Sequence, residues 1–412
     1  MLNLKDKYIK LVNESENKLK NIYNQIDENC YYNSKKVLDA FHEYNICESD
    51  LNGTTGYGYN DEGRDKIEKI FAKILDSEDA LVRTQIISGT HAITVALFAI
   101  LRPNDTLLSI TGLPYDTLHD IIGIKENKSS LKSYNINFEM IDLVNNDFDY
   151  NKIEEYLNNK NIKVVHIQRS RGYSLRDSIT IDKVEKVIKF IKNINKDIII
   201  FVDNCYCEFV ETITPTTVGA DLMAGSLIKN LGGGIAHNGG YIAGRKDLIE
   251  LCAERLNVPG EGREVGPTDN ANRLFLQGIY LAPSVVASSL KTSILTSIVL
   301  EKLGFDVSPK YNEKRADIVE LIYLNNEDNM IKYSEGIQGA GAIDANSLPI
   351  PGDMPGYDDK IIMASASFVQ GSSIEISCDG PIRKPYVIFQ QGARTYEYGK
   401  IALINAISNL NE

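Results

Sequence analysis

The chain has 412 residues, 43% of them hydrophobic and 24% charged, with a formal net charge of -12; this is the composition of a globular protein long enough for one large domain and a smaller one. The acidic balance speaks against a nucleic-acid partner, which is held by basic faces, and no apolar run approaches the roughly 18 residues that span a bilayer. Six scattered cysteines give no disulfide framework, and the C-x-C at Cys205 and Cys207 lacks the further ligands of a metal site.

The N-terminal stretch MLNLKDKYIKLVNESENKLK is charged and amphipathic and has no apolar signal-peptide core. The expected location is cytoplasmic, without a membrane partner. Residues 1–50 read as a helical segment packing with the small domain, 51–285 as a large α/β domain, and 286–412 as a small α+β domain. The Gly/Tyr-rich GTTGYGYNDEG at 53–63 ends the first helical pattern, and Ile67, Ile70, Phe71 and Ile74 then recur at helical spacing.

Next come LVRTQII and SGTHAITVALFAILRP (88–103). Ser88, Gly89 and Thr90 open an apolar helix. Its free N–H groups and dipole suit a phosphate, although the same residues would also make a plain N-cap. TLLSI (106–110), VVHIQ (164–168), IIIFVD (198–203) and GYIAG (240–244) are short apolar strands, and IDKVEKVIKFIKNI (181–194) is one of the helices between them. Strands alternating with helices imply a mostly parallel sheet covered on both faces. LAPSVVASSLKTSILTSIVLEKLGF (281–305) reads as one long helix entering the small domain.

Ligands of such sheets bind beyond the carboxyl ends of the strands. There stand Tyr115 after the second strand, RSRGYSLR (169–176) after the next, and Asp203 closing a wholly apolar one. Asp203 in that setting needs a cationic partner. Lys229 follows in AGSLIKNLGGGIAHNGG (224–240), a lone amine in a loop where small residues let another group come close. A buried acid, a solitary lysine, a phosphate cradle and a covering ring are together what pyridoxal phosphate requires. The lysine forms the Schiff base, and the acid keeps the ring nitrogen protonated.

The motifs SGTHAI, LPYDTL, QRSRGYS, VDNCYCEFVE, AGSLIKNLGGGIA, NGGYIAGR, QGSSIE and DGPIRKPY resemble the bacterial family of methionine gamma-lyase-like or aluminium-resistance proteins. These are fold-type-I, aspartate-aminotransferase-like pyridoxal phosphate enzymes related to the cystathionine beta- and gamma-lyases. The resemblance runs from about residue 50 to the C-terminus. It implies that fold, with Lys229 as Schiff-base lysine and proton shuttle, Asp203 at the pyridine nitrogen and Tyr206 near the phenolic oxygen. It implies Gly89, Thr90 and Ser226 on the phosphate, Tyr115 stacked on the ring, and a homotetramer of two intimate dimers. In that assembly Tyr57, Tyr59 and Arg64 would reach the neighbour's phosphate. An arginine would grip the substrate carboxylate, with Arg394, Arg171 and Arg383 as candidates. The implied activity is γ- or β-elimination on an L-amino acid. Replacement, transamination, racemisation and a non-catalytic cofactor-binding role remain as alternatives. A cationic cofactor beside Lys229 would depress its pKa and leave it a base. The chain departs from the family at Cys207 (glycine there), Leu231 (proline), His237-Asn238 (Pro-Thr) and Arg394 (apolar), so the resemblance leaves the substrate open.

Overall fold

The computed structural model describes residues 2–410. The N-terminal segment forms helices α1 (Asp6–Glu16) and α2 (Lys20–Glu43). The large domain continues with α3 (Glu62–Ile74), β1 (Asp79–Arg83), α4 (Gly89–Ile100), β2 (Thr106–Ser109), α5 (His119–Ile122), β3 (Asn137–Met140) and α6 (Tyr150–Asn159). It is completed by β4 (Ile162–Gln168), α7 (Ile181–Ile194), β5 (Ile199–Asp203), β6 (Leu222–Ser226), β7 (Gly240–Gly244) and α8 (Lys246–Leu256). The long α9 (Asn272–Lys302) leads to β8 (Asp306–Ser308), β9 (Glu320–Tyr323), α10 (Glu327–Gly339), β10 (Ile361–Ala364), β11 (Ser377–Pro381), β12 (Val387–Gln391) and α11 (Tyr396–Asn409).

The large sheet has the order β1-β7-β6-β5-β4-β2-β3. The five strands from β6 to β3 are parallel, and β7 runs antiparallel to both β6 and β1. Its strands read as continuous apolar runs because both faces are covered: all five residues of β5 are buried. Two cores result, one on each face. The smaller sheet, β10-β11-β12-β9-β8, is antiparallel throughout. Tyr8, Val12, Leu19 and Ile26 of the N-terminal segment join its core, whereas Val37 and Ala40 further along α2 join the large domain. The N-terminal segment thus ties the two domains together.

One expectation is corrected. Among the described residues, α9 is long and apolar enough, by length and composition, to cross a membrane. Ser289, Thr292, Ser293, Thr296 and Ser297 punctuate it, so no apolar run stands out in the sequence. Their cost inside a helix is small because hydroxyls return to the backbone: Ser289 Oγ donates to the Val285 carbonyl at 2.9 Å, and Thr292 Oγ1 to that of Ser288 at 2.9 Å. With 83% of its most apolar window buried inside the protein, α9 is a core helix shared by the two domains.

Candidate functional site

The carboxyl ends of β4, β5 and β6 face the small sheet across a cavity. Asp203, Cys205, Tyr206 and Lys229 form its large-domain side, Gln168, Ser170, Gly172, Tyr173 and Tyr115 one flank, and Val319, Asp379, Phe389 and Gln391 the small-domain wall.

Asp203 is the last residue of β5 and is 6% exposed. Its Oδ1 accepts from the Cys205 amide at 3.0 Å. Lys229 follows β6 at the start of a 3₁₀ turn over Asn230–Gly232. Its Nζ lies 4.0 Å from the centroid of the Tyr206 ring and has no hydrogen-bond partner among the described residues. Tyr206 itself sits at φ +69°, a left-handed conformation that a bulky residue adopts only where its surroundings impose it.

Burial alone would lower the pKa of Lys229, but Cys205, Tyr206, Asp203 and Glu208 outweigh it and hold the ammonium above its usual range. The lowering expected from the sequence therefore has no source in the chain itself. It has to come from a bound cation that answers the carboxylates.

Glu208 is buried beside this group. Its Oε1 accepts from the Tyr241 hydroxyl at 2.8 Å, and Oε2 has no partner. Burial pushes its pKa from 4.5 up to about 7. The unfolded chain releases this proton near pH 4.5, whereas the folded chain keeps it to about pH 7, so stability falls as pH rises across that window and then levels. Glu208→Gln should flatten this fall and raise the melting temperature above pH 7. Thermal scans across the pH range read it; parallel curves for the two proteins would refute the assignment.

At the start of α4, Ser88 Oγ accepts from the His91 amide at 3.1 Å and is the N-cap. That leaves the amides of Gly89 and Thr90 without acceptors among the described residues, at the positive end of the helix. A Cβ on Gly89 would lie 3.1 Å from Cys205 Sγ and 3.3 Å from Ser226 Cβ, so glycine lets this turn close onto β6. Ser226 Oγ accepts from the Ile228 amide at 3.3 Å. The Tyr115 amide donates to Gln168 Oε1 at 2.8 Å. Its ring meets Tyr173 and Tyr357 edge-on at 5.9 and 6.1 Å, with the Tyr115 and Tyr357 hydroxyls in contact.

The sequence-proposed arginines lie elsewhere; none lines the cavity. Ser170 and Gly172 face it, and Arg171 between them is buried, with one terminal nitrogen donating to Ser308 Oγ at 3.1 Å and its Nε and other terminal nitrogen unpartnered. Arg383 pairs with Asp359 at 2.7 Å and is largely exposed. Arg394 pairs with Glu375 at 2.8 Å and donates to the Gly234 carbonyl, bracing the loop after Lys229. Arg64, in the first turn of α3, is buried and donates to the Gly58 and Gly266 carbonyls at 2.7 and 3.1 Å. Tyr57 and Tyr59 stack on each other with centroids 5.3 Å apart and remain 66% and 56% exposed, away from this chain's cavity.

The small-domain wall was missed from sequence. QGSSIE and DGP were legible as motifs, yet nothing in their pattern says which residue faces a cavity built by a domain more than a hundred residues earlier. The residues present fit pyridoxal phosphate: an amine free of hydrogen bonds in a buried cavity, a carboxylate at a strand end beside it, and unpaired amides at a helix start.

The family model described as methionine gamma-lyase matches residues 8–411. The Bacillus subtilis protein YnbB is 46% identical over 400 residues, 96% of this chain and 95% of that protein. The crystal structure of a carbon-sulfur lyase involved in aluminium resistance from Clostridium novyi NT is 46% identical, with a TM-score of 0.95 over 98% of this chain and 96% of that one. The pyridoxal-5'-phosphate-dependent protein YhfS of Escherichia coli, at 18% identity and a TM-score of 0.62 over 93% of this chain and 96% of its own, shares the fold.

Proposed function

The chain belongs to the methionine gamma-lyase family, whose cofactor is pyridoxal phosphate, and from that premise we propose that it is a carbon–sulfur lyase eliminating a β- or γ-leaving group from an L-amino acid. The observation that carries this is the Lys229 amine, half-buried in the cavity without a hydrogen bond among the described residues and set beside Asp203.

Pyridoxal phosphate, when bound, supplies an aldehyde for amines and a protonated ring that withdraws electrons from the substrate's α-carbon. Lys229 would hold the cofactor and, when free, its amine would take the proton from the substrate's α-carbon. For a γ-leaving group it also serves the β-carbon. Asp203 keeps the proton on the ring nitrogen. Gly89, Thr90 and Ser226 hold the phosphate through amides and a hydroxyl at the start of α4 and the end of β6. Tyr115 covers the ring, and the tyrosines and the small-domain wall exclude water. The exposed Tyr57–Tyr59 stack is the part that would serve the site of a second copy, in a homotetramer built from two dimers.

Incubation of the cofactor-loaded protein with amino acids bearing thiol, thioether or hydroxyl leaving groups tests this. Release of ammonia and a 2-oxo acid in equal amounts with the leaving group is expected. A product that keeps the amino group with its stereochemistry inverted, or an amino-form cofactor left behind, would replace elimination with racemisation or transamination.

A further inference from the structure

We propose that Asp379, held by Tyr173 and Gln391, is the specificity-determining residue for the substrate's side chain and selects one whose leaving end carries an ammonium group. The inference rests on Lys229 carrying the cofactor as described above.

Among the cavity-lining residues the charged groups are Asp203, Lys229 and Asp379. Asp379 stands at the middle of β11, on the small-domain wall, with its exposed part toward the cavity. Its two oxygens are fixed by different donors: the Tyr173 hydroxyl at 2.5 Å on Oδ2 and Gln391 Nε2 at 3.1 Å on Oδ1. Each carboxylate oxygen accepts more than one hydrogen bond, so acceptor capacity remains for a ligand. Tyr173 is set in turn by Phe389, 5.1 Å away, and Tyr357, 5.5 Å away, so the carboxylate has one orientation.

Among the described residues Lys229 is the cation that lowers the pKa of Asp379, which burial otherwise raises. In the protein alone Lys229 also answers Asp203 and Glu208. Once the Lys229 amine is taken up in holding the cofactor and the ring nitrogen answers Asp203, Asp379 is the acid left without a cation. It sits on the wall that a substrate side chain must meet. Burial then favours its protonated form, and a side-chain ammonium restores the carboxylate with a charge-assisted hydrogen bond. A methyl end gains nothing there, and a carboxylate end is repelled.

The test measures affinity by calorimetry on the cofactor-loaded protein, with L-ornithine against its near-isostere L-norleucine and against L-glutamate. Wild type is expected to bind ornithine about tenfold or more tighter than norleucine, with glutamate weakest. Asp379→Asn should bring the ornithine-to-norleucine ratio toward one with cofactor absorbance retained, while Asp379→Glu keeps part of the preference. A wild-type ratio near one overturns the proposal whether or not the variants fold, and so does an Asp379→Asn protein with an unchanged ratio. Absence of cofactor from Lys229 would instead sink the reading on which the proposal rests, so the two failures are told apart by the colour of the protein.

Discussion

The Lys229→Ala protein is expected to fold, to bind cofactor only reversibly, and to turn over substrate slower by a factor on the order of 10³ or more, since both the anchor and the acid–base group are lost. Folding survives because the loop is held without this side chain. Asn230 Nδ2 donates to the Glu208 carbonyl at 2.9 Å, and Arg394 pairs with Glu375 at 2.8 Å while bracing Gly234. The 3₁₀ turn packs directly on α9, where a Cβ on Gly233 would lie only 2.4 Å from the Gly278 carbonyl. What the variant loses is the cation that Asp203, Glu208 and Asp379 share. Without it the carboxyls of Glu208 and Asp379, which Lys229 holds lower, should take up protons more readily, and the variant should lose less stability than wild type on acidification. Borohydride reduction followed by peptide mass mapping reads the anchor: cofactor mass at position 229 in wild type, none in the variant. A variant that turns over at the wild-type rate refutes the assigned base.

The large domain was legible because its signals are local. The apolar residues of 181–194 recur at helical spacing, and α7 occupies Ile181–Ile194. VVHIQ and IIIFVD are apolar because β4 and β5 are covered on both faces, and they became neighbours in the sheet. Strand β6, between β5 and β7 in the sheet, escaped notice because Ala224, Gly225 and Ser226 carry no β-branched signal. They are small for a reason no local pattern contains: a Cβ on Gly225 would meet the Tyr241 ring at 2.5 Å and Glu208 Oε1 at 2.6 Å. The same limit applies to the site. Lys229 and Asp203 could be paired from sequence because each is anomalous alone, a cation among glycines and an acid ending an apolar strand. Arginines are common on surfaces and in ion pairs, so charge alone could not tell Arg394, with its partner Glu375, from a ligand. Asp379 and Gln391 belong to adjacent antiparallel strands, and only the pairing of Ser377 with Gln391 brings them to the same end of the wall.

Asp203→Asn separates anchoring from chemistry. The amide keeps the shape and one acceptor, so the Cys205 amide bond of 3.0 Å can persist, and Lys229 is untouched. The variant should stay coloured and yield the borohydride-trapped adduct, yet lose about 10² to 10⁴ in kcat, because a neutral amide cannot hold the proton on the ring nitrogen. The change also removes one of the groups that raise the pKa of Lys229. The amine should then be freer to lose its proton, so a pH profile limited by Lys229 shifts toward lower pH even as the maximum rate falls. A damaged fold would instead reduce cofactor binding and rate together at every pH. A coloured variant with near wild-type kcat would mean that the ring nitrogen needs no carboxylate, and the pairing of β5 with the cofactor would have to be abandoned.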